Sequence, residues 1–172
     1  VIVNRRMGIN NRRIKMKKID SIIIHCSATR AEQDIKAKDI DRMHRARGFS
    51  QIGYNYVIDL DGTIEAGRPL TIAGAHCIGY NDHSVGICYI GGLDTSGKPA
   101  DTRTPVQKTA MDDLINKLTR EYEIAELLGH RDTSRDLNDN GIVEPFEWIK
   151  LCPCFDVREE YKSFLKPIIV QS

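Results

Sequence analysis

The sequence predicts one α/β domain with a central mixed β-sheet flanked by helices. First, the chain has 172 residues, a length that suits a single hydrophobic core. Second, segments with the apolar pattern of strands alternate along the chain with segments of helical periodicity. Third, no internal repeat, low-complexity stretch or linker divides the chain. We therefore expect one domain over residues 19–172, preceded by a basic arm at 1–18.

Four strand regions are predicted. The run "DSIIIHC" at 20–26 is continuous and β-branched, which is typical of a central strand buried on both faces. Apolar residues alternate in 54–65 around Asp61-Gly62, a pair that favours a hairpin turn. Further strands are predicted at 84–92 and 124–130.

Three helices are predicted. The clearest covers 104–123, where Thr104 can cap the helix and Pro105 suits its first turn. Its apolar stripe consists of Met111, Leu114, Ile115, Leu118 and Tyr122. The other two are expected at 37–48, with Ile40, Met43 and Ala46 on the buried face and Gly48 as the stop, and at 156–166.

The charge is small overall but unevenly distributed. The net charge of +1 argues against a dedicated nucleic-acid binder. Residues 1–18 hold seven basic residues and no acid, so this arm is either a solvated, disordered tail or a segment that meets an anionic surface. No apolar run is long enough to span a membrane, and no signal peptide is visible. We expect synthesis in the cytoplasm, although a removed signal is the alternative.

The five cysteines do not suggest a disulfide framework, because their number is odd and a chain of this length does not need one. Cys26, Cys77 and Cys88 lie in apolar surroundings and are expected to be buried. In "LCPCFD" the proline between Cys152 and Cys154 stiffens the chain. One of this pair is expected to be a ligand and the other a packing residue.

Two predicted strands end in a histidine, His25 after "III" and His130 after "ELLG", and Cys152 follows after a long loop. Two imidazoles and a thiolate suit zinc, and three protein ligands leave the fourth position of a catalytic zinc open. Spacing alone leaves a second interpretation, in which these are buried structural residues.

Six segments together resemble the type-2 N-acetylmuramoyl-L-alanine amidases, a family that includes zinc-dependent phage lysozymes and peptidoglycan recognition proteins. In chain order they are "HCSAT", "GYNYVIDLDGTIEAGR", "AHCIGYNDHSVGICYIGG", "TPVQ", "GHRD" and "CPCFDV". The resemblance covers residues 19–166. It implies the family's α/β fold and hydrolysis of the amide between N-acetylmuramic acid and the L-alanine of the peptidoglycan stem peptide.

When the family's motifs are matched to this sequence, the resemblance implies that the zinc ligands are His25, His130 and Cys152. Cys152 is preferred to Cys154 because only that register matches Cys-Pro-x-Phe-Asp. Tyr54 and Lys150 match the family's catalytic positions, and both side chains can donate a hydrogen bond to the oxygen that becomes negative during hydrolysis. A non-catalytic muropeptide-binding module is the rival function, and a regulator that binds another protein through the basic arm is a third.

Three further polar residues have two interpretations each. His76 and Asn81 match the neighbourhood of the substrate groove and are expected either to contact the muropeptide or to pack. Asp156 is expected to cap the last helix, and the alternative is that it orients a metal ligand.

An inserted segment at 133–151 departs from the compact phage pattern. Within it, "DLNDNGIVEPFE" fits a calcium loop, and the alternative is a polar turn without metal. The predicted calcium ligands are Asp136, Asn138, Asn140, the carbonyl of Ile142, and Glu147.

The expected partner is peptidoglycan, bound by a monomer without nucleic acid or a membrane span. The expected cofactor is Zn²⁺, with Ca²⁺ as a second candidate. The protein would act on the bacterial cell wall, either as a phage or prophage endolysin or as a bacterial enzyme whose signal has been removed.

Overall fold

The computed structural model describes residues 18–165 and has the expected α/β architecture. Residues 1–17 of the basic arm and the last predicted helical residue, Lys166, lie outside the described residues. The strands are β1 Ser21–Cys26, β2 Thr29–Arg30, β3 Tyr56–Ile58, β4 Ile64–Ala66, β5 Ser84–Tyr89, β6 Gly92–Leu93 and β7 Glu126–Gly129. The helices are α1 Ala37–Ala46, α2 Pro105–Glu121 and α3 Val157–Tyr161.

The main sheet is mixed, as predicted, and has the order β4-β3-β5-β1-β7. β1 is central and parallel to both β5 and β7, whereas the edge strand β4 is antiparallel to β3. Ile24 lies opposite Gly129 in the β1–β7 register. Because the two strands are parallel, their next residues, His25 and His130, lie side by side at the carboxyl edge of the sheet.

The three isoleucines of β1 are fully buried and pack on both faces of the sheet. Ile22 and Ile24 belong to the cluster that contains the apolar face of α2, while Ile23 packs in a separate cluster with Leu128. Because both faces of β1 are buried, its sequence is a continuous apolar run rather than an alternation of apolar and polar residues. The consequence for the site is that His25 stands on a strand held from both sides.

The predicted buried face of α1 is wrong by one position. Met43 is 40% exposed, and Ala46 is exposed as well. The buried residues are Ala37, Ile40 and His44, which also follow helical spacing. His44 tolerates burial because its Nδ1 accepts a hydrogen bond from the backbone N–H of Gly53 at 2.9 Å. The histidine is structural, and its polarity hid the true face of the helix.

The other helices agree with the sequence in position, and the last is shorter than expected. Thr104 caps α2 by accepting from Gln107 N, and the stripe around Met111 is buried. α3 ends at Tyr161 and continues as a 3₁₀ turn over Lys162–Phe164. Asp156 caps α3 by accepting from Glu159 N at 3.0 Å. Within residues 18–165 no helix combines the length and apolar character that crossing a membrane requires.

A buried arginine, which the sequence analysis did not single out, anchors the segment that carries Cys152. The side chain of Arg103 is fully buried, and it donates to the carboxylates of Asp101 and Glu160. Its guanidinium carbon lies 3.3 Å from the ring centroid of Phe155. Stacking and two charge-assisted pairs satisfy the buried cation and connect α3 to the chain before α2.

Candidate active site

The predicted ligands His25, His130 and Cys152 converge at the carboxyl edge of the sheet. One potential ligand atom from each lies within 4.8 Å of the other two. The parallel pairing of β1 and β7 places the two histidines together. Cys152 approaches from the C-terminal segment, where its carbonyl accepts from the backbone N–H of Arg131 at 2.8 Å. Among residues 18–165 this is the one His/Cys/Asp/Glu group of this kind.

The donor set fits zinc by distance and by protonation. Tetrahedral zinc, with bonds of ~2.0–2.3 Å, separates its ligand atoms by roughly 3.4–3.7 Å. Small side-chain rotations can close the observed set to that size. Burial, together with the charge of Lys150, lowers the pKa of His130 to about 4. Burial, reinforced by His76 and His130, holds the pKa of His25 well below its usual value. Both imidazoles are therefore neutral near pH 7, as metal binding requires.

A chain of hydrogen bonds leaves one nitrogen of His25 free for a metal. Ser84 Oγ donates to the carbonyl of Tyr80 at 2.7 Å, so it accepts from His76 Nε2 at 3.4 Å. His76 Nδ1 must then accept, and the donor is His25 Nε2 at 3.0 Å. In this tautomer His25 Nδ1 carries the lone pair. His76 thus orients His25, a predicted ligand, and this role of His76 was not expected from the sequence.

The ring of His76 fits because two of its neighbours are glycines. A Cβ added to Gly74 or to Gly86 would lie 2.5 Å from His76 Cδ2. Burial, together with the charges of His130 and Arg68, lowers the pKa of His76 to about 3. The ring is therefore a fixed neutral acceptor for His25.

Replacing His76 by alanine is expected to weaken zinc binding by about 10- to 100-fold, the usual effect of removing a ligand's hydrogen-bond partner. His83→Ala is the matched control, since His83 lies nearby but bonds to Asp82 at 2.8 Å. Competition with a chromophoric chelator measures both affinities. Equal zinc affinity in His76→Ala and the unaltered protein would show that His25 needs no such support.

The two cysteines of "LCPCFD" differ in their surroundings. Cys152 Sγ accepts from the backbone N–H of Cys26 at 3.2 Å. Cys154 Sγ instead donates to the carbonyl of Gly92 at 3.4 Å. The hydrogen bond with Cys26, together with burial, raises the pKa of Cys154, so it remains a protonated packing thiol.

Tyr54 lies beside the ligands. Its ring centroid is 5.0 Å from that of His25. Burial raises the pKa of Tyr54 well above its usual value, so the hydroxyl keeps its proton. It can act as a hydrogen-bond donor but not as a base near pH 7.

A cavity of about 400 Å³ adjoins the ligand set, and Lys150, His130, His76 and Asn81 all line it. Lys150 is exposed to solvent and close enough for its charge to depress the pKa of His130. A cation beside the two neutral imidazoles makes the cavity suited to an oxygen that gains negative charge.

Asn81 shapes the cavity wall, because its Oδ1 accepts from the backbone N–H groups of His76 and Cys77 at 2.8 and 2.9 Å. Two isoleucines, Ile78 and Ile149, also line the cavity, although they are 96% and 80% exposed. Neither isoleucine was expected at the site from the sequence.

The inserted segment forms an ordered turn beside this cavity. It contains a single 3₁₀ turn over Pro145–Glu147. Glu147 is buried and accepts backbone hydrogen bonds from Leu137 and Glu144. These hydrogen bonds hold the two ends of the loop together before the chain reaches Lys150.

Comparison with known sequences identifies related proteins. The family profile described as N-acetylmuramoyl-L-alanine amidase matches residues 15–142. The endolysin of Klebsiella phage KP32 is 38% identical over 149 residues, which cover 87% of this chain and 89% of the phage protein. The endolysin of Escherichia phage T7 is 37% identical over 144 residues, or 84% of this chain and 86% of that protein.

Comparison with solved structures supports the same relationship. The N-acetylmuramoyl-L-alanine amidase LysC from Clostridium intestinale URNW superposes with a TM-score of 0.66 at 28% identity, covering 87% of each chain. Wild-type Drosophila PGRP-LB superposes with a TM-score of 0.62 at 26% identity, covering 91% of this chain and 89% of that one. Both likenesses confirm the single α/β domain that the sequence predicts.

Proposed function

Because the chain belongs to the N-acetylmuramoyl-L-alanine amidase family, whose members cut amide bonds in peptidoglycan, we propose that it is a zinc-dependent amidase. Its substrate bond is the amide between the lactyl group of N-acetylmuramic acid and the L-alanine of the stem peptide. The zinc ligands in this proposal are His25, His130 and Cys152. The observation that carries it is their convergence within 4.8 Å beside a cavity.

Three residues of the chain have separate roles in the proposed hydrolysis. Zinc, when bound, activates water and polarises the scissile carbonyl. Lys150 Nζ then stabilises the carbonyl oxygen as it becomes negative, since its ammonium lines the same cavity. The Tyr54 hydroxyl is the second donor to that oxygen. His76 holds His25 in the tautomer that leaves Nδ1 for the metal.

The rival function is a binding module that holds muropeptides without cutting them. Retention of a cysteine as third ligand and of a lysine at the cavity favours the enzyme, because binding alone requires neither. Asn81 and His76, which line the same cavity, are proposed to contact the substrate. The site is proposed to work in a monomer, since all of these residues belong to one chain.

Removing zinc is expected to abolish lysis, and adding it back is expected to restore lysis. The measurement is the loss of turbidity of a cell-wall suspension after the protein is stripped of metal and supplied with one equivalent of zinc. A protein that carries zinc and sediments with the walls but never clears them would be the binding module.

The endolysin relatives favour action on the bacterial cell wall after synthesis in the cytoplasm. Peptidoglycan is then the natural partner, and the basic arm at 1–18 is proposed to add attraction to anionic wall polymers. Lys18, its one described residue, pairs with Glu123 on the domain surface.

A further inference from the structure

The inserted loop at 136–147 is not needed for the zinc site. Its twelve residues nevertheless match a calcium loop position by position. Asp136, Asn138 and Asn140 occupy positions 1, 3 and 5, and Glu147 occupies position 12. Gly141 occupies position 6 and has a φ of +83°, a conformation that favours glycine. The Ile142 carbonyl at position 7 and Glu144 at position 9 complete the set.

Among the described residues, three carboxylates of the loop have no cationic side chain as a partner. Glu147 is only 4% exposed, and within residues 18–165 no Lys, Arg or His side chain forms an ion pair with it, with Asp136 or with Glu144. Asp136 Oδ1 is shielded from solvent and has no hydrogen-bond partner. Buried carboxylates are normally paired with a cation or coordinate a metal. Asp136 Oδ2 accepts from Gly141 N at 2.7 Å, so its Oδ1 is left open for a cation, and the negative charge of the buried Glu147 carboxylate is matched by backbone N–H groups alone.

Two amide side chains of the loop meet the carboxylate of Glu144. Glu144 Oε2 accepts from Asn138 Nδ2 at 2.9 Å and from Asn140 Nδ2 at 3.1 Å. The partial positive charges on these amide hydrogens face the Glu144 carboxylate, where a bound cation would supply a full positive charge. Carboxylate, amide and backbone carbonyl oxygens are the ligands that Ca²⁺ prefers, whereas the nitrogen and sulfur ligands of the other site suit zinc.

We propose that residues 136–147 bind Ca²⁺ and that the bound ion fixes the approach of the chain to Lys150. This binding site is additional to the proposed amidase function, and only the link to Lys150 rests on that function. Glu147 Oε1 accepts from Leu137 N at 2.6 Å and from Asn138 N at 3.3 Å. Glu147 Oε2 accepts from Glu144 N at 2.8 Å, so coordination by both oxygens would compete with these backbone hydrogen bonds.

The path from the ion to the cavity is short. Trp148 follows Glu147 directly, and the guanidinium carbon of Arg131 lies 3.9 Å from its ring centroid. The backbone N–H of Ile149 donates to Ser134 Oγ at 3.2 Å. Lys150 is the next residue, so an ion that holds Glu147 limits the positions open to the lysine.

The position of the single tryptophan allows a direct test with Tb³⁺, which replaces Ca²⁺ in oxygen sites and luminesces when a nearby indole transfers energy to it. We expect Tb³⁺ luminescence on excitation of Trp148 in the zinc-loaded protein, and its loss on adding Ca²⁺. Glu147→Gln and Asp136→Asn should each weaken Tb³⁺ binding by on the order of tenfold or more, because calcium affinity follows ligand charge. Asp139→Asn is the matched control, since position 4 provides no ligand.

The outcomes separate this proposal from the amidase function, because the luminescence does not depend on catalysis. Absence of sensitised emission in the unaltered protein, or equal affinity in all three variants, would make the loop a polar turn. The link to Lys150 is tested by the rate of wall lysis in zinc-containing buffer with and without Ca²⁺. The rate should rise several-fold in the unaltered protein and in Asp139→Asn but not in Glu147→Gln. Tb³⁺ binding without any such rise would overturn the link.

Discussion

Replacing Cys152 by serine is expected to remove both zinc and amidase activity, while Cys154→Ser keeps both. A serine hydroxyl does not ionise near neutral pH and is a poor zinc ligand. The loss should exceed the ~10- to 100-fold that follows removal of a residue outside the ligand set. Cys152 Sγ belongs to the converging set, whereas Cys154 Sγ donates to the Gly92 carbonyl.

Metal analysis of the two purified variants, followed by a wall-clearing assay, checks this expectation. Each variant replaces sulfur with oxygen two residues apart in the same segment, so each controls for the other. Stoichiometric zinc in Cys152→Ser together with none in Cys154→Ser would reverse the assignment of the ligand. Circular dichroism distinguishes loss of metal from loss of the fold.

Lys150→Ala and Tyr54→Phe are expected to retain zinc but to lose about 10²- to 10³-fold in kcat, the usual effect of removing one donor to a developing oxyanion. Lys150 is exposed, so its truncation should leave the fold intact. Phenylalanine keeps the ring contact of Tyr54 with His25 and removes only the hydroxyl. Lys117→Ala, on the exposed face of α2, is the matched control for loss of a lysine. Full activity in both site variants would mean that zinc alone carries the chemistry.

The central part of the site was predictable because the strands that hold it have strong local patterns. "SIIIHC" and "ELLGH" each read as a buried strand that ends in a histidine. Parallel neighbours then place His25 and His130 at one edge of the sheet. The choice of Cys152 over Cys154 came from the family motif, because no local pattern distinguishes two cysteines on either side of a proline.

What the sequence did not reveal depends on contacts between distant residues. The acceptor role of His76 toward His25 requires the packing of a loop over Gly86 in β5. The buried face of α1 was misplaced because His44 is satisfied by Gly53, nine residues further along the chain. The anchoring of the C-terminal segment by Arg103 depends on a partner, Glu160, that is 57 residues away. A single sequence carries no sign of such pairs.

Mass spectrometry of peptidoglycan digested by the zinc-loaded protein tests the central claim most directly. Hydrolysis of the proposed amide adds one water and separates two products. These are a glycan with a free lactyl carboxylate and a stem peptide with a free amino group on its L-alanine. The account predicts this pair and no shortening of the glycan chain. Cleavage of a glycosidic bond or of a bond within the peptide would contradict it, as would intact muropeptide bound to the zinc-loaded protein.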